Sequence, residues 1–168
     1  MRKVSLLMSK SLITVGPKDT VERAVGLLRK RGIRHLLVMR KNRLVGIISD
    51  RDIKRSLDPS KTKGRMMNVG GLFFLMEPIL ISEIMTHHPI TISPSTTATE
   101  AADLMIKKRI NALPVVDKGR TVGIVTETDL LKHYVKISKR EGSAVKKKRP
   151  AKKVAKKTTV KKKSRARR

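Results

Sequence analysis

Helix-like and strand-like patterns alternate along the first 138 residues of the chain. Apolar residues recur at the 3.6-residue spacing of a helix in two places: Val21, Ala24, Val25 and Leu28, and then Ala98, Ala101, Ala102 and Met105. A short extended segment precedes each helix and stops at Pro17 or Pro94, because proline supplies no hydrogen-bond donor to a sheet. Two apolar runs follow each helix, at 36–40 and 44–49 and again at 113–117 and 121–126. With a second helix starting at Asp50 or Glu127, the pattern predicts a βαββα unit that occurs twice.

The second unit is a copy of the first. A shift of 77 positions superposes residues 8–52 on 85–129 without a gap, and 17 of the 45 positions are identical. One unit of this size is too small to bury its apolar sheet face alone. We therefore expect an α/β (α+β) fold in which the two units pack sheet to sheet and leave a pair of equivalent clefts between them.

Four segments make up the expected organisation: a first unit at 4–57, a linker or interface segment at 58–80, a second unit at 81–138 and a tail at 139–168. The tail holds 16 of the 41 Lys and Arg residues and one acid, Glu141, for a net charge of +15, while the rest of the chain carries +13. It has few groups able to form a core and it repels itself, so we expect it to be disordered.

This tail has the composition of a nucleic-acid-binding arm, and it resembles the tails of linker histones and of some bacterial nucleoid proteins. Lysines that neutralise phosphates release counterions and give sequence-independent, salt-sensitive affinity. With one Tyr, no Trp and two Phe that we expect to be buried, the chain has no aromatic platform for exposed bases, which favours duplex DNA or structured RNA. The alternative is a solubilising tail without a selected function. The candidate nucleic-acid-binding residues are Lys146, Lys147, Lys148, Arg149, Lys152, Lys153, Lys156, Lys157, Lys161, Lys162, Lys163, Arg165, Arg167 and Arg168.

Composition narrows the remaining choices. The chain has no cysteine, which removes disulfides, thiolate zinc sites and a cysteine nucleophile, and which fits a reducing compartment. No signal peptide is visible in residues 1–13, and the most apolar stretch, 66–80, is interrupted by Glu77 and is too short to span a membrane. We expect a soluble, cytoplasmic protein, with association with the nucleoid or chromatin as a further option through the tail.

Two segments carry a family resemblance. They read IRHLLV at 33–38 followed by LVGIISDRD at 44–52, and INALPVVD at 110–117 followed by VGIVTETD at 122–129. Each copy resembles the cystathionine-β-synthase (CBS) domain, and the tandem resembles an intramolecular CBS pair over roughly residues 4–136. The resemblance implies a regulatory module that binds AMP, ADP, ATP or an S-adenosyl compound and that holds no cofactor.

By resemblance, the end of the second strand and the start of the following helix form the ligand site. Asp52 and Asp129 would bind the ribose hydroxyls, and Ser49 and Thr126 would line the phosphate side, where a hydroxyl and helix-start amides can accept a phosphate. The alternative is that these residues only cap their helices. Adenine would rest on apolar residues such as Ile48 or Val125.

Two basic positions of the family pattern differ between the copies. The first copy has Arg34 and Arg51 there, whereas the second has the neutral Asn111 and Thr128. We therefore expect unequal clefts, one of them empty or holding a less charged ligand, unless the arginines are merely solvated surface charges.

Residues 66–84 link the copies and contain both phenylalanines, Phe73 and Phe74. This segment is expected to be a linker helix that closes the core, a dimer interface, or both, since CBS pairs commonly associate face to face. The neighbouring His87 and His88 are expected to lie in a loop, and no cluster of ligands predicts a metal site.

The candidate functions are a nucleotide-sensing regulator and a nucleic-acid-binding architectural protein that uses the CBS pair as a dimerisation scaffold. An enzyme is not expected. The chain has no P-loop, no Ser/His/Asp set and no pair of catalytic carboxylates.

Overall fold

The structure is a computed structural model that describes residues 2–58, 60 and 65–147, without the side chains of Met66, Phe73, Leu75 and residues 140–147. The predicted nucleic-acid-binding side chains all lie outside the described part of the chain.

The first copy folds in the predicted order. Its elements are β1 (Thr14–Val15), α1 (Val21–Arg31), β2 (His35–Arg40), β3 (Arg43–Ser49) and α2 (Asp50–Ser56). β1 runs parallel to β2, and β2 pairs antiparallel with β3. Thr20 caps α1 by accepting a hydrogen bond from the amide of Arg23. Lys41 and Asn42 form the tight turn between the strands with positive φ angles.

The second copy repeats this arrangement with α4 (Ala98–Lys108), β7 (Ala112–Asp117), β8 (Arg120–Thr126) and α5 (Glu127–Lys147). Its first extended segment forms a single bridge, between Ile92 and Val115, which is parallel like the β1–β2 pair. Thr97 and Glu100 form the predicted capping box at the start of α4. α5 continues to Lys147, nine residues into the segment expected to be a disordered tail.

The short segment that precedes each copy in sequence packs on the opposite copy. A short 3₁₀ helix, η1 (Val4–Leu6), and Ser9 pack on the second copy, where the Val4 amide donates to the Thr96 carbonyl at 2.7 Å. The equivalent segment before the second copy, α3 (Ile81–Ile84) and β6 (Thr86–His87), packs on the first copy and adds β6 to β3. Val4 and Ile81 are completely buried in the two opposite cores.

Gly46 in β3 and Gly123 in β8 let these exchanged segments approach. A Cβ on Gly46 would lie 2.6 Å from the Met85 Sδ and 3.1 Å from the Thr86 carbonyl oxygen. At Gly123 the two equivalent distances are 2.5 and 3.0 Å. Because part of each contact is backbone, the neighbouring chain has little freedom to move away. This close contact explains why both copies have glycine at this position.

Two helix-side clusters form the core, and the opposite sheet faces meet between the copies. Along β2, Leu36 and Val38 point into the first cluster, while Leu37 points to the other face and is also buried. Pro114, the equivalent of Leu37 in β7, is buried as well. The clefts lie along this junction.

The expectation of a linker helix at 66–84 is wrong for most of the segment. Residues 66–75 form a hairpin of β4 (Met66–Val69) and β5 (Leu72–Leu75), and only α3 is helical. Gly70 and Gly71 adopt positive φ, and the Gly71 amide donates to the Asn68 side chain at 2.9 Å, so the turn chemistry decides against a helix. The expected burial of Phe74 is also wrong, since 49% of it is exposed.

Candidate functional site

Two clefts open along the junction, and each takes residues from both copies. The larger cleft, of about 500 Å³, is lined by Ile13, Ile33 and Arg34 of the first copy and by Ile124, Thr126 and Asp129 of the second. The smaller cleft, of about 300 Å³, is lined by the equivalent residues with the copies exchanged: Ile90, Ile110, Asn111, Ile47, Ser49 and Asp52. Both volumes lie in the range of small-molecule sites. The structure thus brings the predicted site residues together in two sets, each of which combines residues of both copies.

The two predicted ribose carboxylates cap their helices and also line the clefts. Asp52 Oδ2 accepts from the Ser49 amide at 2.9 Å and from the Ser49 hydroxyl at 2.6 Å. Asp129 Oδ2 accepts from the Thr126 amide at 2.9 Å and hydroxyl at 2.7 Å. In the part of the chain that the structure describes, neither Oδ1 has a protein partner. The capping interpretation is therefore correct, and it leaves one oxygen of each carboxylate free toward its cleft.

The arginines at the two basic positions each contact the other copy. Arg34 Nη2 donates to the Thr128 hydroxyl at 3.0 Å, and Arg51 Nη1 donates to the Asn111 side-chain oxygen at 3.5 Å. These two contacts join the same pair of repeat positions, with the copies exchanged. Each pair therefore has one arginine and one neutral residue. Neither cleft lacks an arginine, but the two are unequal as expected, because Arg34 and Arg51 both line the larger cleft and only Arg51 lines the smaller.

The expected adenine platforms, Ile48 and Val125, are wrong. Both side chains are completely buried in the helix-side cores, because they lie on the same faces of their strands as Gly46 and Gly123. The apolar residues that reach the clefts are one position earlier, Ile47 and Ile124. A signal was present in the sequence, since this position is Ile in both copies whereas the next one varies.

The family model for the CBS domain matches residues 3–59 and 81–136. The chain belongs to the CBS domain family. An inosine-5'-monophosphate dehydrogenase of Korarchaeum cryptofilum is 33% identical over 130 residues, which cover 77% of this chain and 24% of the dehydrogenase. A CBS domain-containing protein of Dictyostelium discoideum is 35% identical over 140 residues, which cover 80% of this chain and 92% of that protein. The chain thus spans about a quarter of the first relative and nearly all of the second.

Solved CBS structures share the fold. A CBS domain pair in complex with 5'-methylthioadenosine and S-adenosyl-L-methionine has a TM-score of 0.68 and 30% identity, covering 82% of this chain and 98% of its own. CBSX2 in complex with AMP has a TM-score of 0.64 and 27% identity, covering 82% of this chain and 99% of its own.

A common wall separates the two clefts of this CBS pair. Four side chains line both of them: His35, Ser49, Arg51 and Asn111. Burial lowers the pKa of His35, against the opposing field of nearby carboxylates, so the neutral imidazole is favoured in this wall. The Asn111 amide also donates to the Glu127 carboxylate, which fixes its orientation.

The two clefts also differ in the charged residues that line them. The larger cleft combines four cations, Arg31, Arg34, Arg51 and Lys132, with the acids Asp50, Glu127 and Asp129. The smaller cleft combines Arg51, Arg55 and Arg109 with Asp52 as its acid. Six of these charged residues are not predictable as cleft residues, because nothing local in the sequence places them at a groove: Arg31, Asp50, Arg55, Arg109, Glu127 and Lys132.

The described residues hold no group of three or more His, Asp or Glu side chains that could bind a metal ion. None of the helices in the described part of the chain is both long and apolar enough to cross a membrane. His87 lies in β6 rather than in the expected loop, and His88, with a positive φ, lines the smaller cleft.

Proposed function

We propose that this CBS pair is a regulatory module that binds an adenine nucleotide or an S-adenosyl compound in the clefts between its copies. The observation that carries this proposal is the position of Asp52 and Asp129. Each carboxylate is oriented by its own helix cap through Oδ2 and keeps Oδ1 free beside an apolar wall. A free carboxylate oxygen can accept a hydrogen bond from a ribose hydroxyl, and isoleucines beside it can cover a flat base.

The relatives support the ligand class. One solved CBS pair is in complex with S-adenosyl-L-methionine and 5'-methylthioadenosine, and another CBS protein is in complex with AMP. Adenosine is the part that these ligands share. We propose Ser49, Thr126, Arg34, Arg51 and Asn111 as the residues that contact the rest of the ligand.

The test is calorimetric titration of the full chain with AMP and with S-adenosyl-L-methionine. Asp52→Asn and Asp129→Asn keep an oxygen that can cap the helix but remove the charge and one acceptor, so we expect each to abolish binding at one cleft. Asp103→Asn is the matched control, because Asp103 pairs with Lys107 on the exposed side of α4 and lines neither cleft. Absence of binding of both ligands by the wild-type chain would contradict the proposal.

We also propose that the module is a homodimer. Exposed apolar side chains favour this: Met67, Val69, Leu72 and Phe74 share one face of the β4–β5 hairpin. Sedimentation velocity of the full chain checks the oligomeric state, and Leu72→Lys should weaken a dimer that uses the hairpin. A monomer at high concentration would contradict this part of the proposal.

The tail supports a second activity, non-specific binding of nucleic acid, because 16 of the 41 basic residues lie in 139–168. If about 10 charges engage phosphates, the slope of log affinity against log salt should approach roughly −9 on duplex DNA. A tail-deleted chain with unchanged affinity would contradict the role of the tail. If the module bound DNA but no adenosine compound, the architectural alternative would replace the sensor.

A further inference from the structure

Arg51 differs from its counterpart in the second copy, Thr128, in the number of clefts that it lines. Arg51 lines both clefts, as do Ser49 and Asn111. Their counterparts Thr128, Thr126 and Arg34 line the larger cleft alone. The wall therefore carries a single guanidinium that is accessible from both sides.

The Arg51 guanidinium is only weakly hydrogen-bonded to the described residues around it. Its hydrogen bond to Asn111 is long, at 3.5 Å, and the side chain is exposed. Among the described residues, no carboxylate lies within ion-pair distance of it. Arg34, by contrast, holds the Thr128 hydroxyl at 3.0 Å inside the larger cleft. An arginine with free donors can form a bidentate pair with a phosphate in whichever cleft offers one.

We propose that Arg51 is one phosphate-binding group shared by both clefts, so that phosphorylated ligands bind the two clefts with negative cooperativity while unphosphorylated adenosine compounds bind them independently. This inference rests on the proposed function. The first phosphate takes the guanidinium, and the second must bind without it.

The measurement is a coupling factor for two probes, AMP and adenosine, on the full chain. Asp52→Asn and Asp129→Asn each leave one working cleft and so give the two separate association constants. Titration of the wild-type chain gives the constant for filling both clefts. The coupling factor is that constant divided by the product of the two separate ones. We expect about 0.1 or lower for AMP, within the usual size of coupling between sites, and close to 1 for adenosine.

Arg51→Gln should bring the AMP coupling factor to within about threefold of 1 while weakening both separate constants. Arg55 and Lys132 are the matched controls, because they occupy the same repeat position and each lines one cleft, the smaller and the larger respectively. Arg55→Gln and Lys132→Gln should each weaken AMP at one cleft and leave the coupling factor low.

The outcomes are distinguishable. Two AMP molecules bound with a coupling factor near 1, or equal coupling for AMP and adenosine, would overturn the shared arginine and leave the proposed function intact. A low factor that persists in Arg51→Gln would also overturn it. No binding of either probe would overturn the proposed function and this inference together.

Discussion

The two clefts share a backbone plan but differ in charge. The larger cleft sets four cations against three acids, whereas the smaller sets three cations against one. Both have a carboxylate at the equivalent position, Asp129 or Asp52. The difference shows that after duplication the fold keeps the equivalent positions of the cleft, while the charges around them can change separately. It also shows that substitutions in one copy can change both clefts, since each cleft is lined by residues of both copies.

Each hydrophobic core is likewise completed by a segment that precedes the opposite copy. The segment that completes the first core precedes the second copy in sequence, and the segment that completes the second core is the N-terminal one. The copies are therefore interlocked, and a change next to one copy should be felt in the other.

The largest expected effect comes from breaking this interlock. Ile81→Ala removes a completely buried side chain and should destabilise the protein by about 2–5 kcal/mol. Val4→Ala removes less volume from the equivalent site and should cost about 2 kcal/mol. Denaturant unfolding measures both. Hydrogen exchange should show that Ile81→Ala loosens α1 and β2 of the first copy, and that Val4→Ala loosens α4 and β7 of the second. Loosening confined to the copy nearest in sequence would contradict the packing of each segment on the opposite copy.

The next largest effect tests the close approach at the two glycines. Gly46→Ala and Gly123→Ala each place a Cβ against backbone and methionine, and each should cost about 1–3 kcal/mol, equally within error. Gly26→Ala is the control. Gly26 is exposed within α1, and a methyl group there would meet no heavy atom within 4 Å, so alanine should stabilise the protein by about 0.5–1 kcal/mol. Unequal costs at Gly46 and Gly123 would show that one segment is held less tightly.

A smaller effect separates the C-terminal ends of the two equivalent helices. Gly32 follows α1 as its C-cap and Arg109 follows α4 in the same way, and both residues have a left-handed backbone with φ near +60°. Only glycine adopts this conformation without strain, so Arg109→Gly should stabilise the protein by about 1 kcal/mol. Arg109 also lines the smaller cleft, so the same change should weaken AMP there. Arg109→Ala keeps the strain and removes the charge, and should lower AMP affinity without the gain in the free energy of unfolding.

The helices and paired strands were predictable because two copies gave the same local pattern twice. The hairpin at 66–75 was not, since a short apolar run is compatible with a helix or a strand, although Asn68 and the two glycines after Val69 were a turn signal. The capping hydrogen bonds of Asp52 and Asp129 were predictable because they are local, three residues apart in sequence, whereas the ligand role of these residues was expected from the family resemblance. The contact of Arg34 with Thr128 spans 94 positions, and no local pattern predicts which copy supplies each half of a cleft.

The smallest effect concerns His35, whose equivalent in the second copy is Ala112. Burial lowers the pKa of His35 below 6.5, although nearby carboxylates act in the opposite direction; the charged groups that face it are Asp50, Arg34, Asp52 and Glu127. The unfolded chain therefore takes up a proton at this residue before the folded chain does. As the pH falls below about 6.5, the free energy of unfolding should decrease for this reason. His35→Ala, which copies the residue found at the equivalent position, should remove this part of the decrease. Urea unfolding of both proteins between about pH 5 and 7.5 measures the difference, and a wild-type protein that gains stability relative to His35→Ala on acidification would show that the carboxylates prevail over burial.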